Sequence, residues 1–306
     1  MNALSVVIPT YNRCATLQRA ISAYLQQTAL QAIAEIIIVD DGSSDATATI
    51  VRELSTNPVI SIRYFRQENK GPAAARNVGI REANSELILF TDDDIIPGPT
   101  LVSEHLDWQR RFPEISTAVL GQVTWHPEVS PTPFMKWYES DGALFAFAHL
   151  AGESEISYEY LCSCNLSFKA AFLRKYGIFD EDFKAAAYED SELGYRLGKA
   201  GMKLWYNSQA LAYHYQHVSF DDACRRAKKG ALLGDRIFRQ KEAGMHYHSR
   251  RQMRMGSRLR RRLPFRGYLP WMRRFLGIVL SPLRKLMDRR IPLPWSVYRI
   301  MLRVYR

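Results

Sequence analysis

The amino-acid sequence predicts an α/β fold: a mainly parallel sheet flanked by helices, followed by a basic and mostly helical extension. Three observations predict it. Short β-branched runs recur through the first hundred residues, helical stretches separate them, and the charge divides sharply near residue 220. At 306 residues and 47% hydrophobic, the chain can bury a large core.

The expected strands are "LSVVI" (4–8), "EIIIV" (35–39), "ISIRYF" (60–65) and "ELILF" (86–90). Runs such as "IIIV" do not alternate, which fits strands covered on both faces. Between them, residues 13–27, 45–55 and 72–83 read as helices, the last with Pro72 suited to a first helical turn. Strand, helix, strand at this spacing implies right-handed crossovers and parallel pairing. Further on, "TAVLGQVTW" (117–125) reads as a strand and 126–147 as a loop with a short helix. A strand is expected at "CSCNLSF" (162–168), and helices at 169–177 and 188–201, closed by Gly177 and Gly201.

In open sheets of this kind ligands bind beyond the carboxyl ends of the strands. The segments found there are "PTYNR", "DDGSSD", "RQENKGPAAARN" and "TDDD". No G-x-G-x-x-G follows a strand, which removes a dinucleotide fingerprint. Cys14, Cys162, Cys164 and Cys224 form no C-x-x-C pair, so reduced thiols in a reducing compartment are expected rather than zinc or disulfides. The N-terminus lacks the basic and apolar regions of a signal peptide, and no export is expected.

Asp92, Asp93 and Asp94 stand in a row after an apolar run. If the segment stays extended, Asp92 and Asp94 share a face and Asp93 points away. Two converging carboxylates make half of a site for Mg²⁺ or Mn²⁺, which fill their shells with water and phosphate. An acidic turn before the following helix is the alternative reading of the same residues. Glu189 and Asp190 lie together at a helix start, where neighbouring acids raise one another's pKa. His214 and His217 in "AYHYQH" share a face if helical and face opposite ways if extended.

"VVIPTYNR", "IIIVDDGSSD", "GPAAARNVGI", "ILFTDDD", "CNLSFKAAFLRKYGIFDEDF" and "YEDSELGYRL" resemble, in order and spacing, the motifs of the family-2 glycosyltransferases. The resemblance covers about residues 4–220. It implies a GT-A, Rossmann-like fold that binds a nucleotide-diphosphate sugar, with uridine preferred, and transfers the sugar with inversion. It further implies that Pro9, Thr10, Tyr11 and Asn12 hold the nucleobase and that Asp41, or Asp40 beside it, reads its imide edge. "DDGSSD" could at the same time cap the next helix through Ser43, Ser44 or Asp45. By the same resemblance Arg76 lies near the phosphates, and Asp92 and Asp94 hold Mn²⁺ or Mg²⁺ with Asp93 between them, in the donor site. His214 is a further candidate metal ligand, and Asp190 is the base that deprotonates the acceptor, with Glu189 holding it.

Residues 224–306 carry 24 Lys and Arg against Asp235, Glu242 and Asp288, a balance of +21, whereas residues 1–223 are 10 negative. The expected organisation is a transferase domain at 1–223, with its donor half to about 115 and its acceptor half beyond, and a basic extension at 224–306. The longest uncharged run in "LPFRGYLPWMRRFLGIVLSPLRKLM" is far shorter than the ~20 residues of a membrane span. Cations beside Trp271 and Phe275 suit an interfacial helix on anionic lipid. The expected partners are therefore a nucleotide-sugar donor, a glycan or lipid-linked acceptor and the inner face of the cell membrane, with the chain cytoplasmic and peripheral. Nucleic acid ranks behind, since no base-reading module accompanies the charge. A nucleotidyltransferase and a non-catalytic adaptor on the same fold are the rival readings. The first lacks its Gly-rich phosphate loop, and intact acids at Asp41, Asp92, Asp94 and Asp190 oppose the second.

Overall fold

The structure is a computed structural model and describes residues 3–56, 59–140, 144, 147, 150, 154–242, 244–245, 286–289, 293–294, 296–298 and 301. Its strands are β1 (Leu4–Thr10), β2 (Ile33–Asp40), β3 (Ser61–Arg66), β4 (Leu87–Thr91), β5 (Ile95–Pro97), β6 (Thr117–Trp125), β7 (Ser154–Ile156), β8 (Asn165–Lys169) and β9 (Lys203–His214). They form one sheet in the order β3-β2-β1-β4-β8-β6-β9-β5, with β7 also paired to β9. The helices are α1 (Cys14–Tyr24), α2 (Thr47–Leu54), α3 (Pro72–Glu82), α4 (Leu101–Arg111), α5 (Pro133–Ser140), α6 (Ala170–Tyr176), α7 (Glu189–Lys199), α8 (Phe220–Gly230) and α9 (Arg236–Gln240).

Pairing of β1 is parallel to β2 on one side and to β4 on the other. All seven residues of β1 are buried, as a central strand covered by helices on both faces requires. Because β2 and β3 grow the sheet one way and β4 the other, the chain reverses between β1 and β4. A crevice therefore opens at the carboxyl ends of these two strands, at Thr10 and Thr91. Beyond β4 the sheet is mixed: β8 is antiparallel to both β4 and β6, and β6 is parallel to β9. The parallel expectation thus holds for the first four strands, which helical crossovers connect, and gives way where longer connections allow antiparallel returns.

Two local differences have plain causes. The strand expected at 162–168 begins at Asn165, because the chain turns through Ser163 and Cys164 before entering the sheet. "AYHYQH" is extended and not helical: β9 runs to His214, where it pairs with Ile95.

Helix α3 lies hard against β1. A Cβ on Gly79 would stand 2.2 Å from Val7 Cγ1, so only glycine permits this approach, and it is the approach that sinks α3 toward the sheet. A second core lies around Trp125, Phe134, Trp137 and Phe220 and takes in Met287, Tyr298 and Met301 from the end of the chain. The rings of Trp137 and Tyr298 stack with centroids 5.4 Å apart. Helix α8 is capped by Ser219, whose hydroxyl accepts from the Asp222 N–H while the Asp222 carboxylate accepts from the Ser219 N–H. The compositional change at 223/224 falls inside α8. The segment expected to lie on a membrane, with Trp271 and Phe275, is outside the described residues. No helix among the described residues is long and apolar enough to cross a bilayer.

Candidate active site

The crevice between β1 and β4 collects the loops singled out in the sequence. Asn12, after β1, adopts a left-handed conformation (φ 53°), which asparagine tolerates better than most residues. Its N–H donates to Ser43 Oγ at 2.8 Å, and its Oδ1 accepts from the Ser44 N–H at 2.7 Å. These bonds tie the loop after β1 to the loop after β2. Pro9 and Thr10 are buried at the end of β1, and Tyr11 is left 48% exposed on the rim.

Asp40 and Asp41 are both buried at the end of β2. Asp40 accepts from the Ser43 N–H (2.7 Å) and the Tyr64 hydroxyl (2.5 Å). Asp41 accepts from the Gln67 side chain (2.7 Å) and from the N–H groups of Lys70 and Gly71 (2.8 Å each). Their carboxylates thus organise the loops after β2 and β3. No side chain caps α2 at its N-cap, Ala46; Asp45, just before it, accepts from the Thr47 N–H.

The aspartate triplet does not follow the alternation expected of an extended segment. The chain leaves β4 at Thr91 and turns, with the Ile95 N–H bonded to the Asp92 carbonyl at 3.1 Å. Face-sharing by alternate residues therefore does not apply. Asp93 and Asp94 both reach one guanidinium nitrogen, Arg13 Nη1, at 3.1 and 2.5 Å. Asp93 also accepts from the Thr10 hydroxyl at 2.8 Å, and Asp94 lies 3.5 Å from His214 Nε2. Burial and the charge of Asp94 push the Asp93 carboxyl up to about 7. Burial acts the same way on Asp94, but His214 and Arg13 outweigh it and hold that carboxyl below the usual range.

Asp92 turns instead to Arg76, whose Nη2 donates to its Oδ1 at 2.7 Å. Arg76 is no surface arginine: its side chain is 4% exposed, and its Nη1 lies 3.4 Å from Glu189 Oε1. Gly79 is one helical turn further along α3, so the close approach of α3 to β1 also sets the depth of this guanidinium. Arg76 links the aspartate turn to the start of α7.

At that start Tyr188 is left-handed (φ 72°) and turns the chain into the helix. Burial, then the charge of Asp190, push the Glu189 carboxyl up to about 7. Asp190 is pushed up as well, by burial. Its Oδ2 accepts from the Ser163 N–H at 3.1 Å, while its buried Oδ1 has no hydrogen-bond partner. The sulfurs of Cys162 and Cys164 flank Ser163, 3.1 Å from each other, and both thiols are free.

Among the described residues no three His, Cys, Asp or Glu side chains are arranged around a point suited to a metal ion. The chemistry of the donor set nevertheless fits Mg²⁺ or Mn²⁺: these ions need only one or two protein carboxylates, and Asp94, beside another buried carboxylate and an imidazole, has the hard oxygens they select.

Two residues of the site, Arg13 and Ser163, lie outside the sequence-based candidates. Arg13 did leave a signal, since a cation immediately before α1 opposes the helix dipole. The Ser163 N–H that reaches Asp190 is a backbone contact, which no side-chain pattern reports.

With this geometry in place, residues 5–141 match the family described as "Glycosyl transferase family 2", and relatives of the same kind extend the likeness. The chain belongs to this family. Within the family it is 31% identical over 244 residues to the validoxylamine A glucosyltransferase of Streptomyces hygroscopicus subsp. jinggangensis, a match covering 72% of this chain and 57% of that protein. The chain thus spans little more than half of that relative. Among solved structures it is similar to a mannosyltransferase of Pyrobaculum calidifontis in complex with GDP-Man and Mn²⁺, with TM-score 0.61, 15% identity and coverage of 99% and 84%. It is similar also to GalNAc-T7 with UDP, GalNAc and Mn²⁺, with TM-score 0.55, 14% identity and coverage of 71% and 43%. The fold shared with these structures is GT-A.

Proposed function

We propose that the chain is a metal-assisted, inverting glycosyltransferase that moves a sugar from a nucleotide diphosphate to a glycan or a lipid-linked acceptor. One observation carries this reading. At the β1/β4 switch point a carboxylate turn is joined through a buried arginine to a second acidic pair, and one oxygen of that pair, Asp190 Oδ1, is uncommitted.

The nucleoside lies against the loops at 9–12 and 40–41, where the exposed Tyr11 ring offers a stacking surface. Asp40 and Asp41 hold that loop cluster in shape. Arg76 keeps Asp92 and Glu189 in register and offers positive charge toward the diphosphate. Asp190 is the base: its Oδ1 takes the proton of the acceptor hydroxyl as that oxygen attacks the anomeric carbon from the face opposite the departing nucleotide. The Ser163 N–H fixes the other oxygen, so the carboxylate cannot rotate away. A raised pKa brings it closer to that of a useful base near neutral pH. Asp92 and Asp94, with His214 beside Asp94, would hold the divalent cation, which when bound offsets the charge growing on the diphosphate. UDP-sugars are the first donors to test, by resemblance, and GDP-mannose the second, since a structural neighbour was solved with it.

The decisive experiment is a panel of nucleotide sugars assayed for Mn²⁺-dependent release of nucleotide. Release of one nucleotide above the panel background, lost in Asp190→Asn, supports the reading; absence of release and of any donor-dependent thermal shift sinks it.

A further inference from the structure

We propose that Arg13 is the resident counter-ion of the Asp93–Asp94 pair, displaced when a divalent cation binds, and that it thereby sets the metal affinity of the site. The proposal rests on the metal-dependent reading above.

Two adjacent carboxylates, each about 5% exposed, cannot both stay ionised without a cation between them. In this structure the group that serves both carboxylates is Arg13, which gives a single nitrogen, Nη1, to each, while His214 Nε2 lies 3.5 Å from Asp94 alone. Nothing in α1 explains an arginine there. It precedes the first residue of the helix, at the end where a positive charge is unfavourable, and the first turn contains no acidic residue. The carboxylates explain it.

Arg13 and Arg76 differ in how firmly they are held. Arg76 is 4% exposed and bridges two elements, whereas the Arg13 side chain is 38% exposed. A cleft of about 190 Å³, lined by Arg13, Ala15, Thr16, Asp94 and Gln216, opens beside it. This cleft gives an incoming ion access to Asp94 and gives the guanidinium room to withdraw. Binding of the ion at Asp94 replaces the single charge of Arg13 beside the Asp93–Asp94 pair by a double one. Every metal ion must first break two charge-assisted hydrogen bonds, so its apparent affinity is weakened by their strength. Arg76 remains in place throughout, leaving Asp92 in position.

The test is calorimetric titration of the full chain with MnCl₂, for the wild type, Arg13→Gln, Arg13→Lys and an Asp94→Asn blank. Removing the competitor should tighten Mn²⁺ binding about ten- to a hundredfold in Arg13→Gln, as expected for loss of one or two charge-assisted bonds. Arg13→Lys, which keeps the charge on a shorter side chain with a more strongly hydrated head, should fall between the two. In metal-free buffer Arg13→Gln should melt below the wild type, and saturating Mn²⁺ should close the gap. Wild-type binding with an unchanged or weaker affinity in Arg13→Gln overturns the proposal while leaving the metal reading intact. Absence of Mn²⁺ binding in both proteins instead removes the metal reading, and this proposal with it. Should Arg13→Gln fold only with Mn²⁺ present, the proposal is supported; if Mn²⁺ does not restore it, the proposal is overturned.

Discussion

Glu189 and Asp190 are neighbours with the same chemistry and different surroundings. Glu189 is spent on Arg76, while Asp190 keeps one oxygen free and has the other fixed by a backbone N–H. The proposal that Asp190 is the base rests on that inequality. Asp190→Asn should retain nucleotide-sugar binding by calorimetry and lose about a hundredfold or more in transfer rate; turnover near the wild type would remove the assignment. Glu189 makes a separate prediction about pH. Its folded pKa of about 7 lies above the ordinary carboxylate value, so the folded state binds the proton more tightly than the unfolded one. The stability associated with that proton is present at low pH and is lost as pH rises through 7. Glu189→Gln should therefore gain in melting temperature relative to the wild type between pH 5 and pH 8. A constant difference across that range would show that Glu189 does not titrate there.

At the scale of elements, the site depends on how α3 meets β1 and how the loop after β3 meets β2. Gly79→Val would place its new methyls within the space of Val7. Denaturant unfolding should show a loss of about 1–3 kcal/mol or more, and nucleotide release should fall with it, because Arg76 lies one turn away. Asp41 receives three hydrogen bonds from residues 67–71. Asp41→Ala should cost about 1–3 kcal/mol and weaken donor binding together with stability. Loss of donor binding without loss of stability would instead mark Asp41 as a residue that touches the base. The alternation of aspartates expected from an extended segment failed for a reason of the same scale: the ladder of β4 ends at Thr91, and the turn that follows obeys its own hydrogen bond. Conversely, the first four strands and the first three helices were legible, since each carries its own periodicity and punctuation, whereas the three-residue β5 was not.

For the whole molecule, the end of the chain matters in two ways that composition alone would merge. Tyr298 and Met301 are buried against Trp137 and its neighbours, so Trp137→Ala should cost about 3–5 kcal/mol in a denaturation experiment. For the same reason, truncating the basic extension would both remove charge and open a core. The membrane proposal is better tested by neutralising Arg258, Arg260, Arg261 and Arg262 to Gln in the full chain. Each nearby cation adds about 1 kcal/mol on anionic lipid, so the variant should cosediment far less with phosphatidylserine vesicles, while unchanged sedimentation would refute the role of the extension.

The sequence by itself determined the α/β class, the order of the first elements, the loops that gather at one edge of the sheet and the family, because strand and helix periods and loop residues are local properties. It also placed Asp92, Asp94, Glu189 and Asp190 among the residues to watch. Only the tertiary structure decided which acid meets which arginine: Asp92 with Arg76, Asp93 and Asp94 with Arg13, and Asp190 with a backbone N–H. Those pairings join residues up to 81 positions apart, and electrostatics in a buried site depends on distance and burial, neither of which is written in the order of residues along the chain.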